Sequence, residues 1–171
     1  MKKFLLALVI VLPMVLAGCV QNKDNDSPKL MSSIKGISIG MTTEEAMDSL
    51  KAQGMAVEVS GSGIQFIKVN ETIAIGNLVF DKLTAYAYTS GVSNILLSKE
   101  FYSLANAENF YNNAYQVFEG KYSAFLSNPN EAQRKAYIES TCWADSVTVL
   151  DLFLNHEDEY WEVGLMLSRH Q

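Results

Sequence analysis

The sequence predicts an α+β protein in which an antiparallel sheet carries helices packed on one face. Two segments, near residues 43–53 and 105–121, place apolar side chains at the three- and four-residue spacing of amphipathic helices. Each is followed by a run of segments in which apolar and polar residues alternate, the pattern of half-buried strands. Because short turns rich in Gly, Asn, Asp and Ser join these strands, we expect neighbouring strands to run antiparallel.

The first 18 residues have the composition of a signal peptide. Lys2 and Lys3 precede an apolar run of about 12 residues, which is shorter than the roughly 20 residues needed to cross a bilayer as a helix. The following residues, Leu16-Ala17-Gly18-Cys19, resemble the lipobox of bacterial lipoproteins, which is cleaved before its cysteine. The resemblance implies that residues 1–18 are removed and that Cys19 is lipidated with palmitate-like acyl chains.

Residues 19–33 are predicted to be a flexible tether between the lipidated Cys19 and a single domain over residues 34–171. This segment is polar, contains Pro28 and has no hydrophobic periodicity. Several acyl chains on one cysteine are sufficient for stable membrane anchoring. Val20 stands where proteobacterial lipoproteins retained in the inner membrane carry Asp, so the resemblance implies the outer membrane. Asp24 and Asp26 are diluted by Lys23 and are less dense than the acidic runs that act as surface-export signals in Bacteroidota, so the periplasmic face is favoured over the cell surface.

Length and charge limit the remaining function classes. Removal of 18 residues leaves 153 of the 171, which suits one domain with a substantial core. Loss of Lys2 and Lys3 takes the formal charge from −6 to −8, and the sequence has no cluster of basic residues. We therefore expect no nucleic-acid partner, because nucleic-acid binding depends on basic surfaces.

The first half of the domain begins with a helix over residues 43–53. Thr42 followed by Glu45 has the spacing of a capping box, and Gly54 is a suitable C-terminal stop. Alternating apolar residues then predict strands near residues 55–59, 63–69, 73–81 and 83–89, with a fifth at 93–99.

The second half repeats this order of elements. A helix is predicted over residues 105–121, and a further short helix is consistent with residues 129–139. Two strands, over residues 147–154 and 161–168, close the chain. This repetition predicts that the domain is built from two helix-plus-strands units.

The run from Gly36 to Glu45, behind a lipobox and a tether, resembles the opening of two protein families. One is the SmpA/OmlA lipoproteins of the outer-membrane assembly machine, and the other has the β-lactamase-inhibitor-protein-like fold. Uncharacterised lipoproteins of Bacteroidota begin in a similar way. The resemblance implies tandem helix-plus-hairpin units, but no set of binding residues carries over to this chain.

Few residues have the chemistry of a catalytic or metal-binding site. His156 lies in the acidic loop Asn155–Glu159, which has ligands for a divalent cation but equally the composition of a solvated turn, and His170 is the penultimate residue. After lipidation of Cys19, Cys142 has no partner for an internal disulfide and is expected to be a small buried hydrophobic residue. We expect no enzyme activity, no cofactor and no metal site.

Asp151 stands out because it interrupts an apolar strand. A buried, uncompensated carboxylate is unfavourable. Asp151 is therefore expected at a sheet edge, on a solvent face, or paired with a lysine.

These observations favour a non-enzymatic protein-binding or envelope scaffold module. The aromatic strand residues Tyr86, Tyr88 and Trp161 are the candidate partner-binding residues, with ordinary core packing as the alternative. The alternative function is a periplasmic small-ligand carrier or hydrolase, with a site between the sheet and the second helix lined by Tyr111 and Tyr115. A filled interface between sheet and helix would argue against that site.

Overall fold

The computed structural model describes residues 29–129 and 135–170 and confirms the α+β fold class. The helices are α1 (Thr43–Lys51) and α2 (Leu104–Tyr122), and α2 continues into a short 3-10 turn over Ser123–Phe125. In chain order the strands are β1 (Ser33–Ile34), β2 (Ile37–Ser38), β3 (Glu58–Ser60), β4 (Gln65–Val69), β5 (Ile73–Ile75), β6 (Leu78–Phe80), β7 (Lys82–Tyr88), β8 (Gly91–Phe101), β9 (Leu126–Ser127), β10 (Glu139–Ala144), β11 (Thr148–His156) and β12 (Trp161–Arg169). Neither helix in this part of the chain is long and apolar enough to cross a membrane.

Eight strands form one antiparallel sheet in the order β3-β4-β7-β8-β12-β11-β10-β9. The strands that follow α1 occupy one half of this sheet, and those that follow α2 occupy the other. The last strand of each half, β8 and β12, pair with each other at the centre over eight residue pairs. The predicted organisation into two helix-plus-strands units is therefore present in the topology.

Both helices pack on the same face of the sheet. The Thr43 hydroxyl at the start of α1 donates a hydrogen bond to the side chain of Gln65, which lies on the same side of β4 as the buried Ile67. On α2, the Tyr111 hydroxyl lies 2.9 Å from the Thr141 hydroxyl of β10. The core between helices and sheet is formed by side chains that are at most 5% exposed, among them Leu50, Leu83, Leu97, Phe118, Trp143, Leu152 and Leu165.

The predicted start of α1 is confirmed in detail. The Glu45 amide donates to the Thr42 hydroxyl, and the Glu45 carboxylate in turn accepts from the Thr42 amide at 2.8 Å. This reciprocal pair satisfies two amides that a helix start otherwise leaves without partners. The helix ends at Lys51, two residues before the predicted end, because the chain turns into Gly54, which has φ +79°.

The prediction of one strand over residues 73–81 is wrong. Strands β5 and β6 form a separate hairpin that turns at Gly76 (φ +60°) and Asn77. A two-residue Gly-Asn loop matches the right-handed twist of paired strands, so it reverses the chain here. The Phe80 ring meets Phe110 of α2 edge-on at 5.4 Å, so the hairpin extends the cover on the helix side of the sheet.

Several other boundaries differ from the sequence prediction. Strand β8 is longer than the predicted 93–99, and β10 was not predicted at all. Residues 130–134 of the predicted short helix lie outside the described residues; Lys135 and Ala136 are helical, and β10 then begins at Glu139. Near the N-terminus, Leu30 is 4% exposed, so the packed core already includes a residue from the segment predicted as tether.

Candidate functional site

The face of the eight-stranded sheet opposite the helices carries the candidate site, and we call it the open face. Its members alternate along each strand with the core residues, because successive strand side chains point to opposite sides. Many of these side chains are half-buried, which is intermediate between a packed and a solvated surface. The open face includes Phe66, Lys68, Lys82, Thr84, Tyr86, Tyr88, Asn94, Leu96, Ser98, Glu100, Ser140, Cys142, Val149, Asp151, Phe153, Glu162, Gly164, Met166 and Ser168.

Three residues are stacked in the middle of the open face. Phe153 of β11 pairs with Gly164 of β12, and a Cβ added to Gly164 would lie 2.1 Å from the Phe153 ring. Tyr137 stacks on the outer side of that ring, with the ring centroids 4.2 Å apart and 14° between the planes. The glycine therefore provides the space in which the phenylalanine lies flat against the strand.

A groove of about 680 Å³ lies on one side of this stack. Its floor comes from three neighbouring strands and includes Asn94, Met166 and Asp151. Its rim includes the β7–β8 turn at Ser90–Gly91 and the chain end at Arg169 and His170. The volume is in the range of small-molecule sites, and the lining mixes apolar and polar groups.

Asp151 was expected at a sheet edge, on a solvent face, or paired with a lysine. The first two of these alternatives are wrong, because Asp151 is 3% exposed in an inner strand of the sheet. It pairs across the ladder with Cys142 of β10, whose thiol donates a hydrogen bond to the carboxylate. Burial, followed by the Asp151 charge and this hydrogen bond, raises the pKa of Cys142 to about 12. The thiol is therefore protonated at neutral pH and unsuited to act as a nucleophile.

Ser168, His170 and Asp151 all line the groove, but they do not form a catalytic triad. A triad requires the serine hydroxyl to hydrogen-bond the imidazole. Within the described residues, neither the Ser168 hydroxyl nor the His170 ring makes a hydrogen bond. The geometry therefore does not activate the serine.

On the other side of the stack lies a group of polar residues that we call the Glu162 cluster: Lys82, Ser98, Glu100 and Glu162, with the rings of Tyr86, Tyr137 and Tyr160 near them. The Lys82 Nζ donates to Glu100 Oε1 at 2.6 Å and lies 3.9 Å from Glu162 Oε1. Burial acts to lower the pKa of Lys82, but the hydrogen bond to Glu100 and the charges of Glu100 and Glu162 outweigh it and raise the pKa. Lys82 is thus firmly cationic.

Glu162 is the most buried carboxylate of this cluster, with a side chain 15% exposed. Burial raises its pKa, while the nearby Ser98 hydroxyl and the Lys82 charge act against that rise. The pKa values of Tyr86, Tyr137 and Tyr160 are also raised, first by burial and in each case partly by the Glu162 charge. Glu162 therefore lies at the electrostatic centre of the cluster.

The structure brings together only two of the three predicted partner-binding residues. Tyr86 and Tyr88 both lie on the open face, Tyr86 half-buried in edge-on contact with Phe66 and Tyr88 46% exposed. Trp161 lies on the helix side, where it packs against the core and its ring contacts the His156 ring, with 4.2 Å between centroids and 38° between planes. Trp161 therefore does not share a surface with the two tyrosines.

The interface between α2 and the sheet, predicted as the alternative site, is filled. Tyr111 is 5% exposed and Ala107, Ala114 and Phe118 are at most 2% exposed, while Tyr115 packs against Trp143 with the rings 6.2 Å apart. This packing does not favour a ligand site between α2 and the sheet.

Two observations remain, one on metal ligands such as those of the acidic loop Asn155–Glu159 and one on the residues that the sequence analysis did not predict. No group of three or more His, Cys, Asp or Glu side chains within residues 29–129 and 135–170 has the arrangement of a metal site. The members of the Glu162 cluster were not predicted, because Lys82, Ser98 and Glu162 become neighbours only when β7, β8 and β12 pair.

Comparison with models of known protein families, with curated proteins and with solved structures finds no match to this chain.

Proposed function

We propose that this protein is a lipid-anchored lipoprotein of the bacterial outer membrane that binds another envelope protein through the open face. The proposal combines the lipobox resemblance at Cys19 with the one-sided architecture of the domain. The proposed role involves no catalysed reaction: the domain holds a partner protein near the membrane.

The observation that carries the proposal is the unequal covering of the two sheet faces. The helices and the β5–β6 hairpin bury one face, whereas the open face keeps half-buried aromatic and polar side chains around a groove. Protein interfaces are enriched in aromatic residues such as Tyr, which bury a large apolar area and retain a polar group. Tyr86 and Tyr88 supply such groups beside the groove and the Glu162 cluster.

Capture of partners from membranes tests this function. The lipidated wild-type chain is expected to retain a specific envelope protein, and Tyr88→Ala is expected to weaken that retention. Tyr102→Ala is the matched control, because Tyr102 is 86% exposed in the turn after β8 and lies off the open face. Equal retention by both variants, or no specific partner at all, would contradict the proposal.

The anchor has a separate test. Cys19→Ser removes the only acylation site that the lipobox offers, so the variant should leave the outer-membrane fraction. The fractionation is done at high salt, which weakens attachment by charge but leaves an acyl anchor intact. A variant that still sediments with the outer membrane would disprove lipid anchoring.

A small-ligand carrier is the second candidate function, and the groove of about 680 Å³ favours it. In this case the ligand lies on the open face, over Asn94, Met166 and Asp151. Native mass spectrometry of the protein purified from its own cells tests the candidate. We expect the wild-type protein to carry a bound small molecule. Asn94→Trp, which fills the groove, should abolish that binding. A wild-type protein purified without any bound molecule would contradict this function.

A further inference from the structure

One part of the rim of the groove is built from two crossing backbones. Gly91, at the start of β8, has φ +105°, and a Cβ there would lie 2.6 Å from the Gly40 carbonyl oxygen, so only glycine allows this approach. Two backbone hydrogen bonds of 2.7 Å hold the crossing: the Gly40 amide donates to the Val92 carbonyl, and the Val92 amide donates to the Met41 carbonyl. The rim is therefore preformed, as the walls of small-molecule sites usually are.

The floor of the groove carries two polar side chains that have no partner within the chain. Asn94 and Ser168 pair directly across β8 and β12, and both are half-buried in the groove. Within the described residues, neither the Asn94 amide nor the Ser168 hydroxyl makes a hydrogen bond. Each of these groups can both donate and accept, and directly paired strand side chains lie about 4.5–5.5 Å apart. The floor therefore offers two adjacent donor–acceptor groups to one ligand.

Apolar side chains lie directly beside this polar pair. Val149 pairs with Ser168 across β11 and β12, and Met166 precedes Ser168 by two residues on the same side of β12. Both line the groove and are half-buried. Polar and apolar groups thus alternate over the distance of one strand spacing, and a matching ligand must alternate on the same scale.

The charges that line the groove are balanced. Among the described lining residues, Asp151 carries a negative charge and Arg169 a positive one, with His170 counted as neutral. The formal charge of the lining is therefore zero. An excess of one sign would attract ions of the opposite sign, whereas this balance favours a neutral ligand.

We propose that the groove binds a neutral saccharide of one or two rings, whose hydroxyl groups exchange hydrogen bonds with Asn94 and Ser168. A sugar hydroxyl both donates and accepts, as these two side chains require. The C–H groups of a sugar ring form an apolar surface that fits Met166 and Val149. This inference rests on the second candidate function, the small-ligand carrier, and names its class of ligand.

Titration of the purified full chain with neutral disaccharides, followed by saturation-transfer NMR, tests the inference. The probes are maltose, cellobiose, lactose and N,N′-diacetylchitobiose, and the detergent is a polyoxyethylene ether, which contains no sugar. At least one probe is expected to bind, and Asn94→Ala should weaken its binding by about fivefold to tenfold, because the ligand loses the hydrogen bonds of the amide. Asn109→Ala is the matched control, since it removes the same amide from the exposed surface of α2 and should change the affinity by less than about twofold.

Thermal unfolding distinguishes a ligand contact from a structural role. Because neither side chain has a hydrogen-bond partner within the described residues, Asn94→Ala and Ser168→Ala should each leave the melting temperature within about 2 °C of wild type. Both variants should nevertheless bind the disaccharide more weakly.

Three results would overturn the inference. The first is no binding of any of the disaccharides, and the second is equal affinity for Asn94→Ala and Asn109→Ala. The third is Asn94-dependent binding of a charged probe, glycylglycine or inorganic phosphate, without binding of a disaccharide.

The saccharide site and the small-ligand carrier can fail separately. If protein purified from its own cells holds a molecule that is not a saccharide and loses it on Asn94→Trp, the carrier function stands and the saccharide does not. If that protein is empty while a disaccharide binds through Asn94, the saccharide site stands without its proposed use.

Discussion

At the scale of single residues, the stack of Gly164, Phe153 and Tyr137 determines the shape of the open face. Phe153 is 4% exposed although it lies on the face away from the helices, because it rests on Gly164 and is covered by Tyr137. A glycine in a central strand otherwise weakens the strand, since it has no side chain to pack. Here the aromatic ring of the neighbouring strand fills that space.

We expect Gly164→Ala to destabilise the protein by about 1–3 kcal/mol, the usual cost of overpacking. The new methyl group would lie 2.1 Å from the Phe153 ring, which would have to leave both Gly164 and Tyr137. Chemical denaturation gives the free energy of unfolding.

Gly120→Ala is the control for this change. Gly120 lies in α2, and a Cβ there has nothing within 4 Å. Alanine is a better helix former than glycine, so this variant should be about 0.5–1 kcal/mol more stable. A Gly164→Ala protein as stable as wild type would refute the packing of the stack.

Cys142 gives a second prediction at this scale. In the Cys19→Ser variant it is the only cysteine, since the chain contains two. With its pKa raised to about 12, the thiol should not react with iodoacetamide at pH 8 in the folded protein, and should react readily in denaturant. Rapid alkylation of the folded protein would contradict the buried position beside Asp151.

The same shift fixes the direction of a pH effect. The folded pKa of about 12 exceeds the ordinary thiol pKa of 9.0, so the folded state holds this proton more tightly than the unfolded state. The resulting stabilisation is complete below pH 9 and is lost as the pH rises from 9 towards 12. Substituting Cys142 with Ala should therefore flatten the decline in stability over that interval.

At the scale of elements, the two helices begin in different ways. The Thr42 hydroxyl accepts from the Glu45 amide at 3.2 Å, whereas the Ser103 side chain makes no capping hydrogen bond at the start of α2. Loss of a capping threonine costs about 1 kcal/mol, so Thr42→Ala should destabilise the protein by this amount. Ser103→Ala should have little effect. If chemical denaturation shows equal losses in the free energy of unfolding for the two variants, Thr42 is not the capping residue that the structure indicates.

The helices were predictable because their signals are local. The spacing of apolar residues gave α2 to within one residue at each end, and the pair Thr42 and Glu45 fixed the start of α1. The β5–β6 hairpin also had a local signal, the Gly76-Asn77 dipeptide, but continuous apolar alternation around it resembled one strand. Strand β10 was missed because its sequence, Glu139 to Ala144, has only weak alternation.

At the scale of the whole molecule, the candidate site depends on the sheet order. Lys82 and Ser98 face each other across β7 and β8, and Glu162 joins them because β12 pairs with β8 although more than 60 residues separate them in the chain. No local pattern encodes that pairing. For the same reason the sequence could suggest Tyr86, Tyr88 and Trp161 as a set but could not show that Trp161 lies on the opposite face.

The most direct test of partner binding through the open face is photo-crosslinking in intact cells. Benzoylphenylalanine at Tyr88, on the open face, should crosslink to one defined envelope protein on irradiation. The same residue at Gln116, which is exposed on α2 on the other side of the sheet, should give no crosslink to that protein. Crosslinking of one partner from Gln116 and not from Tyr88 would contradict the central claim that the open face is the binding surface.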